Sequence, residues 1–367
     1  MKQSGIDDTI FFMEARNVDE NLRAAWNQFV ACSQASPILQ SYEWGELKSC
    51  SGWQPIRIAV FDGGEIIAGA SILKRKIPYL SRSIFYAPRG PILDFKDGKV
   101  FDKLLEAIVL EAEKYKAILI KIDPFVLEEN KEVIQMLKSR GFIRKRKQIQ
   151  PRATLHIDLT KNLEDIIASF EEKTRYNVKL SKRKGVNITE ASNDEGMEIF
   201  YKMYRETGTR DRFLIHPASY YRHIKKLIID KGFGNIFLAH YEGSPIAGVL
   251  IFTFGEKVWY MYGASKREHR NVMPNHALHW HVIKWAKEKG FKIYDLWGIP
   301  VKPSEDHPLW GVYRFKKGFN GRLTKLIGVY DKPLNSIYYH VFDKGLALWQ
   351  GLRSLVTKGK ISDSLGE

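Results

Sequence analysis

Phe315-Lys316-Lys317 lies between Gly311 and Gly321 in a stretch rich in aromatic and basic side chains. An ammonium in such a place can hold the oxyanion that forms when an amine attacks an ester, and one such donor is worth about 2.7–4 kcal/mol. Phe315 offers a face on which a nucleic-acid base can stack. Taken alone, the segment reads more simply as a solvated basic turn. Thr209-Arg210-Asp211-Arg212-Phe213 supplies fork-shaped cations suited to phosphate; the plain alternative is a helix C-terminus whose charges pair with one another. Asp94 and Asp295 each end a strand-like segment beside a Gly or Pro turn. A carboxylate there could take the proton of an attacking amine, whose unperturbed pKa is about 10.4 for lysine, and Asp94 is the candidate base. Tyr221 and Tyr262 are candidate contacts to an acceptor, although a Tyr at a strand end is more often core. Lys48, on the helix starting at Tyr42, is a candidate phosphate contact. His276, His279 and His281 are spaced i, i+3, i+5, which does not put three ligands on one helix face; they read as surface and groove residues, and no metal is expected. No His pairs with Ser, Cys or Asp in a recognisable spacing, so covalent catalysis has no support.

The elements that must position these residues are written twice. The hairpin Ile58–Ala70 returns as Leu238–Val249, with Phe61 and Tyr241 180 residues apart. Tyr86 and Tyr260 are 174 apart, and so are Ala112 and Ala286 in two helix-to-strand runs. Three features in one order at nearly one period mean a duplicated domain rather than a solenoid. The pattern predicts a first domain over 1–150 and a second over 151–333, followed by a C-terminal amphipathic helix and tail over 334–367. Further expectations are a strand at Ile10–Met13, a helix at Asn162–Glu172 capped by Thr160, and a basic helix over 173–184. The run Lys173–Gly185 carries six basic residues and no acid. In it Lys173, Arg175, Lys179, Lys182 and Arg183 are candidate nucleic-acid contacts.

A length of 367 residues suits two domains. No apolar run approaches the ~20 residues of a membrane span, and the N-terminus lacks the order of a signal peptide. Cys32 and Cys50 have no metal-ligand spacing, and the expected compartment is the cytosol. A formal charge of +16 argues for a polyanionic partner.

Each copy pairs an antiparallel hairpin with a helix feeding a strand, the outline of an acetyltransferase-type (GNAT) α/β fold of the α+β kind, its mixed sheets flanked by helices. Acetyltransferases place a Gly-rich loop before the helix that here begins near Pro274, presenting backbone N–H groups to the coenzyme A pyrophosphate. The segment Lys266–His276 has no glycine and contains a proline, so a coenzyme A donor is not expected. No Gly-x-x-x-x-Gly-Lys-(Ser/Thr) loop is present either. An acyl donor that arrives already activated fits, and an aminoacyl-tRNA ester suits the basic run.

Six stretches carry a resemblance: Gln40–Lys48, Tyr86–Asp94, Lys173–Val178, Thr209–Phe213, Tyr294–Pro300 and Tyr313–Phe319. Over about 40–330 the chain resembles the FemABX family of peptidoglycan-bridge aminoacyltransferases, the FemX type in particular. The resemblance implies twin acetyltransferase-like domains. It also implies transfer of an amino acid (Gly, Ala or Ser) from aminoacyl-tRNA to the side-chain amine of a peptidoglycan stem peptide, carried on lipid II or UDP-MurNAc-pentapeptide. Phe315 and Lys316 would handle the tRNA end and the transition state, and Arg212 would meet the diphosphate of the acceptor. No cofactor is expected, nor the coiled-coil arm of the FemA branch. The working form would be a cytoplasmic monomer, with peripheral contact at the inner membrane face through the apolar side of Leu334–Val356. The alternatives are an acetyl-coenzyme A-dependent N-acetyltransferase and a non-catalytic RNA-binding module.

Overall fold

The computed structural model describes residues 13–78 and 80–343. The expected Ile10–Met13 strand lies mostly outside them; the first strand seen is β1 (Glu14–Asn17). The first copy continues with α1 (Arg23–Cys32), α2 (Tyr42–Ser49), β2 (Gln54–Asp62), β3 (Glu65–Lys76), β4 (Ser83–Ala87), α3 (Gly98–Lys114), β5 (Ala117–Ile122), α4 (Lys131–Ser139) and β6 (Ile143–Arg144). The second runs β7 (Ala153–Asp158), α5 (Leu163–Ser169), α6 (Glu172–Arg183), β8 (Asn187–Glu190), α7 (Asp194–Asp211), α8 (Ala218–Ile224), β9 (Gly234–Tyr241), β10 (Ser244–Phe254), β11 (Lys257–Ser265), α9 (Pro274–Glu288), β12 (Ile293–Ile299), α10 (Trp310–Lys317), β13 (Arg322–Lys325) and β14 (Tyr330–Pro333).

The duplication is borne out strand for strand. One sheet has the order β1-β2-β3-β4-β5-β14-β6 and the other β13-β7-β12-β11-β10-β9-β8. In both, three antiparallel pairings lead into one parallel pairing, β4 with β5 and β11 with β12. The sixth position of each sheet is filled by exchange. β7 follows the first copy but pairs with β12, whereas β14 ends the second copy but pairs with β5 and β6. The residues 330–333, expected in the second domain, therefore complete the first sheet. Of the expected C-terminal helix and tail, the part beyond 343 lies outside the described residues; the helical residues 336–343 dock on the same sheet, with Tyr338, Tyr339 and Phe342 against Ile118 and Leu119.

Local chemistry accounts for the remaining departures from expectation. Asn162, not Thr160, caps α5, its side chain accepting from Asp165 N at 2.7 Å, because Thr160 is engaged by Asp158. α5 stops at Ser169, and the basic helix α6 begins at Glu172, so it includes one acid. Between the copies there is no seam. Trp26, Trp44 and Leu47 share a buried cluster with Phe200, Tyr221, Phe252 and Trp259, and Lys257 Nζ donates to Ala35 O at 2.6 Å across the join.

Part of the motif Gln40–Lys48 serves this frame. The buried Gln40 amide donates to Ser71 O and Pro88 O and accepts from Ser71 N, while Ser41 caps α2. Likewise Asp123 accepts from the Arg89 amide at 2.7 Å and from the Tyr86 hydroxyl at 3.2 Å. Gly69 lies under Trp26: a Cβ there would stand 2.6 Å from the buried indole. Gly69→Ala is expected to lower unfolding free energy by about 1–3 kcal/mol through overpacking, seen as a lower urea midpoint; an unchanged midpoint would show that Trp26 yields freely.

Candidate active site

The site begins where the two copies differ. In the first, β4 stays paired to β5 through Ala87 and Ile122. In the second, β11 and β12 pair only over Lys257–Trp259 and Ile293–Asp295, although they run on to Ser265 and Ile299. Beyond Trp259 and Asp295 the second sheet is open between neighbouring strands. β11 also carries a bulge: Leu250 faces Tyr262 and Ile251 faces Tyr260, leaving Met261 extra. Alternation would put Tyr260 and Tyr262 on one face, but the bulge turns them apart. Tyr260 packs with the α9-side core and Tyr262 with the core shared by the two copies.

On the α9 side stands Lys316, in a helix rather than the expected turn. It is 5% exposed, and its Nζ donates to Gly298 O at 2.8 Å and lies 5.4 Å from the Tyr260 ring centre. Burial lowers its pKa to about 7, against a smaller upward pull from Asp295. Phe315, half-buried beside it, meets His276 and His279 edge-on at 5.2 Å each. His279 is fully buried, contrary to the surface-and-groove expectation, and shares a 2.9 Å hydrogen bond with the Tyr294 hydroxyl. Burial, with Lys316 and His276 nearby, holds its pKa at about 3, so it is neutral. His276 bonds Asn177 and His281 packs on Phe237.

Helix α6 lies against this helix pair. Glu171 N donates to Gly318 O at 2.9 Å, and Thr174 Oγ1 would be 2.3 Å from a Cβ on Gly318. Lys173, Lys179, Lys182 and Arg183 are exposed along it. Arg183 lies 5.5 Å from the ring of Tyr176, itself 54% exposed. Arg175 differs, since its guanidinium donates to Phe170 O and Ala168 O and closes the end of α5.

On the opposite face Lys48 donates to the Tyr220 hydroxyl at 2.8 Å over the Trp44 ring, and burial lowers its pKa to about 8. Among the described residues the buried Trp44 indole N–H has no hydrogen-bond partner. Tyr220, Tyr221 and Tyr262 stack edge to face at 5.7–5.8 Å, so the sequence candidates Lys48, Tyr221 and Tyr262 are brought together. Sequence reasoning missed Tyr220, although the Tyr220-Tyr221 doublet was there to be seen. Arg212 sits exposed at the left-handed C-cap of α7, next to Phe213, which packs on Tyr204. Arg210 is instead held by Asp211 and by Ser265 O.

The two carboxylates part company. Asp94 is exposed in the loop before α3, with its side chain accepting from Lys96 N, and shares a shallow depression with Asp102 and Arg140. No contact links it to Lys316. Asp295 lies at the open strand gap and lines a narrow interdomain cleft with Arg89, Phe125, Trp259 and Trp297. Burial pushes its pKa up, but His156, Thr154 and the Trp297 amide outweigh that and hold it at about 2. A carboxylate so stabilised is a poor proton acceptor.

Two sheets repeated in tandem, one of them opened between its parallel strands, define a tandem acetyltransferase-like protein. A tandem GNAT protein from the clavulanic acid biosynthesis pathway shares the fold, with a TM-score of 0.53 over 88% of this chain and 99% of that one at 12% identity. The chain belongs to the FemAB family, whose model matches residues 23–233 and 224–344. It is similar to the crystal structure of FemX, with a TM-score of 0.84 and 27% identity over 90% of this chain and 99% of that one. It is 28% identical to the lipid II:glycine glycyltransferase of Staphylococcus saprophyticus, covering 95% of this chain and 98% of that protein. The Staphylococcus aureus protein of that name is also 28% identical, covering 92% and 96%.

Proposed function

We propose that this protein transfers an aminoacyl group, glycyl by likeness to its relatives, from aminoacyl-tRNA to the side-chain amine of the stem peptide of lipid II. The observation that carries this is the strand gap between β11 and β12. A buried ammonium and a basic helix stand on one side of it, and a lysine set among tyrosines stands on the other. The donor ester would approach from the α6–α10 side, with Phe315 against the terminal base. The acceptor would lie along Lys48, Tyr221, Tyr262 and Arg212, its diphosphate on the cations, and its amine would reach the ester through the gap.

The amine attacks the ester carbonyl, a C–N bond forms, and the oxyanion accepts from Lys316 Nζ. Collapse breaks the bond to the ribose oxygen, and the proton lost by nitrogen is the one that this oxygen gains. With a pKa of about 7, Lys316 can give and retake a proton at neutral pH. Ester-to-amide conversion is downhill, so no nucleotide hydrolysis is required. A monomer holds all of these groups, Lys48 from the first copy included. Among the described residues no helix is long and apolar enough to cross a membrane. The exposed Ile337 and Val341 beside the docked Tyr338 and Phe342 support peripheral contact with the surface that holds a lipid-linked acceptor.

The test is a mass-spectrometric transfer assay. Purified protein is mixed with a charged tRNA pool and, in separate reactions, lipid II and UDP-MurNAc-pentapeptide. A gain of one glycyl residue on lipid II is expected. A gain of another residue, or on the nucleotide-linked acceptor alone, would revise the substrates, and no gain on either would sink the transferase reading.

A further inference from the structure

The chemistry proposed above leaves Asp295 without a part, since a carboxylate held at about 2 does not collect protons at neutral pH. Its surroundings give it another one. Strand β12 is irregular at this point: Asp295 pairs with His156 and Gly298 with Thr154, so Leu296 and Trp297 together face only Leu155. Trp297 sits in the left-handed region at φ 59°, a conformation that costs a bulky side chain energy and persists only when its surroundings impose it. The imposing groups are visible. Asp295 Oδ1 accepts from the Trp297 amide at 2.7 Å. The Thr154 hydroxyl reaches both that same Oδ1 and, at 3.1 Å, Trp297 O. The other carboxylate oxygen meets His156 Nε2 at 3.1 Å, and His156 Nδ1 meets Thr324 Oγ1 at 3.2 Å. Phe125 lies parallel to the imidazole, with ring centres 6.2 Å apart.

The bulge has two outputs. It turns the Gly298 carbonyl to Lys316 Nζ, and it directs the Trp297 indole into the interdomain cleft, 5.7 Å from the Arg89 guanidinium. We infer that Asp295 and Thr154 are positioning residues: they lock the Trp297 bulge and through the Gly298 carbonyl set where the Lys316 ammonium points. This rests on the transferase reading for its kinetic consequence but not for its structural one.

The experiment is a set of variants assayed in the full chain. Thr154→Val keeps the shape and removes the hydroxyl. It is expected to lower kcat about 100-fold, the effect of an ångström-scale misplacement, with KM for both substrates little changed; Thr154→Ser should restore the rate. Glycine takes the left-handed turn without steric cost, so Asp295→Ala should lower the melting temperature and kcat much less in a Trp297→Gly background than alone. Wild-type kcat in Thr154→Val, failure of Thr154→Ser to recover it, or an equal Asp295→Ala penalty in both backgrounds would each overturn the inference. Lys316→Met is run alongside. If it transfers at the wild-type rate, the functional reading fails, while the thermal coupling between Asp295→Ala and Trp297→Gly still decides the lock without any substrate.

Discussion

Lys316→Met is expected to lower kcat by about 10²–10³-fold and at the same time to raise the melting temperature. The loss is that of one oxyanion donor. The gain comes from desolvation: the ammonium is buried, with Gly298 O as its hydrogen-bond acceptor and neutral His279 as a neighbour. An apolar side chain of similar length carries no such desolvation cost. The pH dependence follows from the direction of the shift. The folded state holds the amine at about 7 and the unfolded chain near 10.5, so between these values the unfolded state binds more protons and wild-type stability rises with pH. The burial cost is complete below pH about 7, so the advantage of Lys316→Met should be largest there and fade as pH approaches 10.5. The rate carries a matching signature. The neutral acceptor amine grows tenfold per pH unit below about 10.4, while the Lys316 ammonium falls tenfold per unit above about 7. Wild-type kcat/KM should therefore rise with unit slope and level off near pH 7, and the residual activity of Lys316→Met should keep rising. A bend at the same pH in the variant would assign the titration to another group.

Removing the exposed charges of α6 is the second large effect. Lys173, Lys179 and Lys182 project from a helix whose other side is fixed against α9. The triple change to Ala should weaken tRNA binding roughly 10²-fold at about 0.1 M salt and flatten the plot of log affinity against log salt by about 2–3, near 0.7–0.9 per phosphate contact. Transfer at saturating tRNA should stay close to wild type, because none of the three touches the reacting atoms in the proposed arrangement. Arg175→Ala supplies the contrast. Its bonds to Phe170 O and Ala168 O make it part of the fold, so it should lower the melting temperature and leave the salt slope nearly unchanged. A triple variant with an unaltered slope would remove α6 from the RNA path.

Much of the fold was legible because it was written twice: the hairpins became β2–β3 and β9–β10, and the helix-to-strand runs became α3–β5 and α9–β12. What a local pattern cannot carry is destination. Nothing in Ala153–Asp158 or Tyr330–Pro333 says which sheet each will join, because any apolar strand fits any open edge of matching depth. The site was legible as a set of residue types and illegible as a geometry. Lys48, Tyr221 and Tyr262 are remote in sequence, and only the tertiary packing that sets Lys48 on Tyr220 and Tyr221 on Tyr262 brings them together. Period-two alternation would have put Tyr260 and Tyr262 on the same face, and the extra Met261 reverses that. Asp94 and Asp295 looked alike in their turn-rich settings, yet one ended in solvent and the other inside a hydrogen-bonded bulge, a difference set by partners on β7 that lie about 140 residues away from Asp295.

The crossed strands also fix the order in which the molecule can be made. The first sheet needs β14 between β5 and β6, and β14 is among the last parts of the described chain to leave a ribosome. At about 5–20 residues per second, the N-terminal copy waits on the order of ten to forty seconds after its own last strand emerges before the neighbour of β5 exists. For that interval the β5 edge is open, and Ile118 and Leu119 still lack Tyr338, Tyr339 and Phe342, an invitation to chaperones or to a neighbouring nascent chain. Synthesis of this protein therefore resembles closing a clasp more than stringing beads. A polypeptide released early, between the copies, has a first sheet with a permanent gap rather than a smaller working domain.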